Sequence, residues 1–231
     1  MRVLVAVAHA DDEVLGCFSV MASSEHDVHV LHATNSTPLN PMYATRAGFA
    51  TIGEYEAARR AEMLAALDAA GFPRERWRAL PIADQGTPKH VREIREAMAS
   101  YEPDVIYTHA YEGGHPDHDA MAYAASAFPN VVEFPIYHAS AEGEMRSGRF
   151  YEGEPEETVV LAGDLLARKQ AALDRFATQQ RVIVRLPVDR EIFRPMRKYD
   201  FNKPPHEGPL YYEIRGHGWT WPEWHRHIIN S

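Results

Sequence analysis

Short apolar runs alternate with longer segments of helical periodicity along the first part of the chain. Such runs predict buried strands, because parallel strands covered on both faces are almost continuously apolar. We expect five of them, at Val3–Ala8, Val28–Ala33, Arg78–Ile82, Asp104–Thr108 and Val131–Tyr137. Strands that alternate with helices predict an α/β fold that is Rossmann-like, with a mostly parallel sheet and helices on both faces.

The segments between and after these strands have the 3.6-residue period of amphipathic helices. They predict helices at about Asp12–Ser24, Glu54–Ala70, Pro88–Tyr101, His118–Phe128 and Leu161–Thr178. In the second of these, the apolar positions that recur at helical spacing and are expected to face the core are Ala57, Ala61, Leu64 and Ala65. Gly71 follows its last residue, where a helix commonly ends.

The alternating pattern becomes irregular after about Ala139. The acidic, Gly- and Pro-containing stretch Glu142–Glu157 predicts a loop, and the chain from about Pro195 is dense in aromatic residues and proline. We expect little regular helix there apart from a short turn over Pro222–Ile229. The sequence therefore predicts a single domain over residues 1–231, with a core at about 2–195 and a C-terminal extension at about 196–231.

Composition narrows the classes of function. The formal net charge of −9 argues against general nucleic-acid binding, which needs a basic face. The single cysteine, Cys17, excludes an internal disulfide bond and is typical of a reducing compartment. No stretch resembles a signal peptide or approaches a membrane span. We expect a soluble cytoplasmic protein without membrane insertion, and homo-oligomerisation stays open.

Two segments rich in histidine and carboxylate side chains follow predicted strands. His9-Ala10-Asp11-Asp12-Glu13 follows the first strand, and His115-Pro116-Asp117-His118 comes shortly after the fourth. Open α/β sheets bind their ligands at the carboxyl ends of the strands. Imidazole nitrogens and carboxylate oxygens are the ligands that zinc takes there. The two segments therefore favour a metal-dependent hydrolase.

Ligand chemistry suggests which of these groups bind the metal and which act as acid or base. A catalytic zinc ion usually has three protein ligands, and His9, Asp12 and His118 make a plausible set. Asp11 would then lie beside the metal, where a carboxylate can take a proton from bound water. His115 could meet a developing oxyanion or protonate a leaving amine. A purely structural interpretation also exists, because acidic side chains cap helix N-termini.

The two segments together resemble the paired signature of the LmbE/PIG-L superfamily of zinc-dependent N-deacetylases. The family usually has proline where this chain has Ala10. Four further segments resemble elements of the family, so that the resemblance covers about residues 2–195. These segments are Arg59-Arg60-Ala61-Glu62, Ala83-Asp84-Gln85-Gly86, Lys169–Gln179 and Glu191-Ile192-Phe193-Arg194. In the third of them, Thr178 replaces the family's usual serine.

The resemblance implies a role for each matching residue. It implies one Zn²⁺ per chain held by His9, Asp12 and His118, with Fe²⁺ or Mn²⁺ as other possible metals. Asp11 would be the general base, and His115 would stabilise the oxyanion or act as an acid. Residues implied outside the metal and acid–base set are Asp117, which would orient an imidazole, and Arg59 and Asp84, which would bind substrate. Because Arg60 is adjacent, the resemblance leaves open which of the two arginines corresponds to the substrate-binding arginine of the family.

The implied activity is removal of an N-acetyl group from an amino sugar, such as a small-molecule GlcNAc conjugate. Two alternatives stay open on the sequence: a zinc amidase acting on a non-sugar N-acyl compound, and a non-catalytic sugar- or nucleotide-binding module. The binding module is disfavoured because no glycine-rich dinucleotide fingerprint follows the first strand. The aromatic side chains of the C-terminal segment could stack on sugar rings, but such side chains more commonly pack on the core of the protein.

Overall fold

The computed structural model describes residues 1–230; Ser231, the end of the predicted extension, lies outside the described residues. The strands are β1 (Arg2–Val7), β2 (Asp27–His32), β3 (Trp77–Ala79), β4 (Val105–His109), β5 (Val131–Phe134), β6 (Tyr137–Ala139), β7 (Met145–Ser147), β8 (Glu157–Val160) and β9 (Arg190–Pro195). The α-helices are α1 (Asp12–Met21), α2 (Pro41–Arg46), α3 (Ile52–Ala70), α4 (Val91–Ala99), α5 (Pro116–Ala125), α6 (Gly163–Leu173), α7 (Gln180–Ile183), α8 (Tyr211–Arg215) and α9 (Trp221–Ile228).

Seven of these strands form one sheet in the order β3-β2-β1-β4-β5-β9-β8. The first five are parallel, and β9 and β8 join antiparallel at the edge. The prediction of a mostly parallel α/β sheet with helices around it is confirmed. The sequence did not predict β9, because its four buried residues include the charged Glu191 and Arg194 and so do not form an apolar run.

Strand β1 contributes to the hydrophobic core on both faces of the sheet. Val3, Val5 and Val7 pack into one cluster, and Leu4 and Ala6 into the other. This division follows from the two-residue period of a strand. Each large aliphatic side chain buried this way stabilises the fold by about 1.5–3 kcal/mol. The strand that carries the first motif segment is therefore held firmly from both sides.

The strand order places a topological switch point between β1 and β4. From β1 the chain continues to β2 on one side, and from β4 to β5 on the other. The two strands pair in register, with Val3 beside Val105 and Val5 beside Tyr107. Their carboxyl ends therefore lie at the same level, where open α/β sheets form a ligand crevice. Both motif segments leave the sheet at this crevice.

Some local predictions are wrong. In α3 the residues Ala57 and Ala61 are exposed, because the helix turns the face with Met63 and Leu67 toward the core. The stretch predicted as a loop at Glu142–Glu157 contains β7, which pairs with β6. The C-terminal part also has more helix than expected, since α8 is regular and α9 extends over the predicted short turn.

The C-terminal segment packs on the sheet domain through its tryptophans. The Trp224 side chain is fully buried and donates from Nε1 to the Pro116 carbonyl at 2.9 Å. Trp219 donates from Nε1 to the Gln85 carbonyl at 2.8 Å. Among residues 1–230, no helix has the length and apolar character that crossing a bilayer requires.

Candidate active site

A cavity of about 180 Å³ opens at the switch point between β1 and β4. Seven of the eight predicted site residues line it: His9, Asp11, Asp12, Arg59, Asp84, His115 and His118. The eighth, Asp117, is fully buried behind His9. Three non-glycine residues with positive φ also line the cavity: Asp11 at 117°, Ser36 at 61° and Gln85 at 70°. Backbone strain of this kind, about 1–3 kcal/mol per residue, clusters at functional sites.

The Asp12 carboxylate joins the two motif segments. Its Oδ2 lies 3.3 Å from His9 Nδ1 and 3.4 Å from His118 Nε2. Zinc donors at about 2.0–2.1 Å in tetrahedral geometry stand about 3.3–3.4 Å apart. Burial opposes the ionised form of Asp12, but His118 and His109 lower its pKa well below the ordinary value. These two separations and this ionised oxygen would allow Asp12 to share a zinc ion with His9 and with His118.

Asp117 fixes the orientation of the His9 ring. Its Oδ2 lies 3.0 Å from His9 Nε2 and accepts a hydrogen bond from the Gln85 amide. Its Oδ1 accepts from the Thr87 amide and hydroxyl. Because this carboxylate only accepts, Nε2 of His9 carries a proton, and Nδ1 faces Asp12. Burial lowers the pKa of His9, but Asp84, Asp117 and Asp12 together raise it well above its ordinary value, so a metal would bind Nδ1 in place of a second proton. A buried carboxylate behind a histidine is the usual support of a metal ligand.

Other groupings of potential ligands overlap with this one. Three clusters among residues 1–230 bring their ligand atoms within 4.8 Å of one another: His9–His115–His118, His9–Asp84–His115–Asp117 and Asp12–His109–His118. The predicted set shares His9 and His118 with the first cluster and Asp12 and His118 with the third. In the third, His109 Nε2 already accepts a hydrogen bond from the Ala8 amide at 3.1 Å. His109 is thereby disfavoured as a ligand, and its ring stacks on His118 instead.

Asp11 lies beside this set in a strained conformation that its neighbours maintain. The Asp11 amide donates to Glu13 Oε2 at 3.1 Å, and the same oxygen lies 2.9 Å from His32 Nε2. Trp77 Nε1 donates to His32 Nδ1, so the His32 proton is on Nε2 and Glu13 accepts both bonds. Burial raises the pKa of Asp11 well above its ordinary value, while Arg59 opposes that shift. A carboxyl group with this balance can both accept and return a proton.

His115 presents one defined nitrogen to the cavity. It is the N-cap of α5, where its Nδ1 accepts the Asp117 amide at 3.2 Å. The single proton of the neutral ring therefore lies on Nε2. Burial lowers the pKa of His115 well below its ordinary value, and the His9 charge adds to this effect. A neutral imidazole N–H at this point can donate a hydrogen bond to a developing oxyanion.

Three buried polar atoms on the cavity wall make no hydrogen bond within residues 1–230: Arg59 Nη1, Asp84 Oδ1 and His217 Nδ1. Two of them stand in ion pairs, Asp84 Oδ1 at 3.2 Å from His9 Nε2 and Arg59 Nη1 at 3.6 Å from Glu62 Oε2. Buried polar groups almost always have hydrogen-bond partners, so a polar ligand is expected to bond to these atoms.

The two adjacent arginines have different environments in the structure. Arg59 is buried at the cavity, whereas Arg60 is exposed and lies over the Trp77 ring.

His217 also lines the cavity, and the sequence did not indicate it as a site residue. Its ring lies 4.9 Å from that of His115, between Gly216 and Gly218, which have φ of 67° and 78°. Glycine adopts these angles without strain, and the spacing of the two glycines around a histidine is the only signal that the sequence offered. Tyr137 and Gln179 also line the cavity and were not predicted as site residues.

The loop at Ala10, where the family usually has proline, is restrained by a hydrogen bond. The Ala10 amide donates to Ser36 Oγ at 2.8 Å. Proline, which the resembling family usually has here, possesses no amide hydrogen and could not make this bond. In this chain, the hydrogen bond to Ser36 therefore restrains the loop that proline would otherwise stiffen.

Comparison with protein-family models matches residues 4–128 to PIG-L, described as GlcNAc-PI de-N-acetylase. The matched range includes both motif segments. A search of curated proteins gives no match.

Solved structures with the same fold include deacetylases and one hydratase. The zinc-inhibited form of teicoplanin deacetylase Orf2 is 19% identical, covers 78% of this chain and 85% of its own, and has a TM-score of 0.59. N,N'-diacetylchitobiose deacetylase from Pyrococcus horikoshii is 16% identical, with coverages of 84% and 83% and a TM-score of 0.57. GalB, the 4-carboxy-2-hydroxymuconate hydratase from Pseudomonas putida KT2440, is 17% identical, with coverages of 86% and 97% and a TM-score of 0.57. At these identities the similarity shows a shared fold.

Proposed function

This chain belongs to the PIG-L family of GlcNAc-PI de-N-acetylases, whose model matches residues 4–128 of its 231, and from that premise we propose that it is a zinc-dependent hydrolase that removes an N-acetyl group from an amino sugar such as a GlcNAc-containing conjugate. The observation that carries the proposal is the convergence of His9 and His118 on the Asp12 carboxylate, with Asp11 beside it. We further propose that residues 1–231 form one domain, as the pattern of strands and helices indicates. We also propose that the protein acts in the cytoplasm, an expectation that rests on the single Cys17.

The three cavity atoms that make no hydrogen bond within residues 1–230 support a sugar as the substrate. Arg59 Nη1 can only donate a hydrogen bond, and Asp84 Oδ1 accepts one when ionised. The pKa of Asp84 is lowered by the nearby His9 despite its burial, so the ionised form is favoured. A sugar hydroxyl donates and accepts at once, and two neighbouring hydroxyls could satisfy both groups. We therefore assign Arg59 and Asp84 to substrate binding.

The zinc ion, when bound, would polarise the acyl carbonyl and lower the pKa of water toward about 7. A carboxylate oxygen of Asp11 would take one proton from the attacking water as its oxygen adds to the carbonyl carbon. His115 would donate a hydrogen bond from Nε2 to the carbonyl oxygen as negative charge develops there. When the carbon–nitrogen bond breaks, Asp11 would return its proton to the nitrogen, and the products are acetate and the free amine.

The test combines metal content with release of a free amine. The purified protein would be analysed for bound zinc and incubated with a panel of N-acetyl amino sugars, their conjugates and N-acetyl amino acids. One zinc per chain with amine release from sugars, both lost in His118→Ala, supports the proposal. The control is His225→Ala, which removes a histidine that does not line the cavity.

Two outcomes would redirect the proposal. Amine release from N-acetyl amino acids alone would favour an amidase acting on a non-sugar compound. A protein that binds no divalent metal after reconstitution would overturn the proposed chemistry.

A further inference from the structure

Helix α1, which begins with Asp12, is broken in its middle. Cys17 has φ −141° and ψ 19°, outside the helical region. The preceding Gly16 packs so tightly that a Cβ there would lie 2.3 Å from the Phe134 ring. A break of this kind leaves carbonyl groups before it and amide groups after it without their helical partners. The first half of α1 therefore needs other groups to fix its direction.

One buried ion pair supplies these missing partners. Glu191 of β9 accepts the Phe18 amide at 2.8 Å and the Ser19 amide at 2.9 Å, as an N-cap does for the second half. Lys169 of α6 donates from Nζ to the Leu15 carbonyl at 2.8 Å, as a cation does at the end of the first half. The two side chains meet at 2.7 Å, and neither is exposed to solvent.

The break is connected to the cavity through Leu15. The Leu15 amide donates to the Asp11 carbonyl at 2.9 Å, and the Leu15 side chain lines the cavity. The Leu15 carbonyl is the group that Lys169 holds. Lys169 and Glu191 themselves do not line the cavity. They can therefore act on the site only through the position of this turn.

Stability alone is a weak reason for such a pair. Burying two charges costs several kcal/mol per ion, and hydrophobic replacements of a buried pair are often as stable. We propose that the pair of Lys169 and Glu191 is a positioning device that fixes the first turn of α1 and thereby sets the affinity of His9, Asp12 and His118 for zinc. This inference rests on the metal set of the proposed function.

The test compares two buried ion pairs that differ in location. Arg194 and Glu133 form a pair of the same kind, with Nε and Oε1 at 2.7 Å, at the junction of β5 and β9. Lys169→Met and the control Arg194→Met would each be measured for urea unfolding and for zinc affinity by competition with a chelating indicator. Both variants should lose stability. Only Lys169→Met should lose zinc affinity, by about 10–100-fold, the usual effect of groups that support metal ligands.

Glu191→Gln provides a second variant in case Lys169→Met does not fold. It keeps one carbonyl acceptor for the two amides of the break, and should lower zinc affinity by about 10-fold. Zinc affinity equal to that of the wild type in a folded Lys169→Met or Glu191→Gln protein would overturn this inference alone. A wild-type protein without zinc affinity would overturn the proposed function together with it.

Discussion

The two parts of the chain on either side of residue 128 contribute different kinds of group to the cavity. Residues up to 128 supply the carboxylates that line it, Asp11, Asp12 and Asp84, and all but one of its imidazoles. The later part supplies wall residues such as Tyr137 and Gln179 and the remaining imidazole, His217. The first part thus carries the reactive groups in segments that follow parallel strands. The second part shapes and supports the cavity from distant points of the sequence.

Removal of the Asp12 carboxylate should have the largest effect, because this group joins both motif segments. Asp12→Ala deletes the oxygen that lies within 3.4 Å of both His9 and His118. Zinc affinity should fall by more than the roughly 100-fold that loss of a supporting group costs. Chelator competition measures this loss. An Asp12→Ala protein that retains stoichiometric zinc would contradict the assignment of Asp12 as a ligand.

Asp11→Asn should separate catalysis from metal binding. Asparagine has nearly the size and shape of aspartate, and the Asp11 amide that bonds Glu13 is kept, so the loop should keep its conformation. The amide cannot take a proton from water, and kcat should fall by about 10²–10⁴-fold, the usual contribution of a general base. Bound zinc should stay at the wild-type level. Loss of zinc in step with activity would instead make Asp11 a ligand.

The second part of the chain should affect substrate binding more than chemistry. His217→Ala removes a wall imidazole whose Nδ1 has no hydrogen-bond partner among residues 1–230. Loss of one hydrogen bond to substrate, about 1.4 kcal/mol, corresponds to about a tenfold fall in kcat/KM. The effect should appear mainly in KM, with zinc content unchanged. A fall confined to kcat would place His217 in the chemical step.

The smallest effect on activity is expected where the two parts of the chain meet, at Glu112, whose carboxylate acts on stability. Its carboxylate accepts the Tyr151 amide, and burial raises its pKa to about 8. The unfolded chain ionises this group at a lower pH, so its contribution to stability is complete below its ordinary pKa. That contribution is lost as the pH rises toward 8. Urea unfolding measures the free energy of unfolding at pH 5 and at pH 8.5. The fall in this free energy between the two pH values should be smaller for Glu112→Gln than for the wild type. An equal fall in both proteins would contradict the raised pKa of Glu112.

The sequence predicted the first part of the chain better than the second. Parallel strands are apolar runs, and the groups that follow them meet at one edge, so the convergence of His9, Asp12 and His118 could be foreseen. The position of His217 could not be. It depends on the turn that ends α8 and on the bond from Trp219 to the Gln85 carbonyl, and neither leaves a periodic pattern.

The ion pair of Lys169 and Glu191 shows the same limit. Both residues belong to late segments that resemble family elements, but their spacing does not reveal a shared partner. The partner is a break in α1 more than 150 residues away from Lys169 and more than 170 from Glu191. The break lies next to the close approach of Gly16 to Phe134, which only the packed structure contains.

The most direct test of the account is the position of zinc in a crystal of the loaded protein, located by anomalous scattering at the zinc edge. The account predicts one ion bound by His9 Nδ1, Asp12 and His118. His9 also faces the competing cluster through its other nitrogen, since Nε2 lies 3.2 Å from Asp84 and 3.0 Å from Asp117. An ion bound by His9 Nε2, Asp84 and Asp117 would contradict the proposed ligand set and the base assigned beside it.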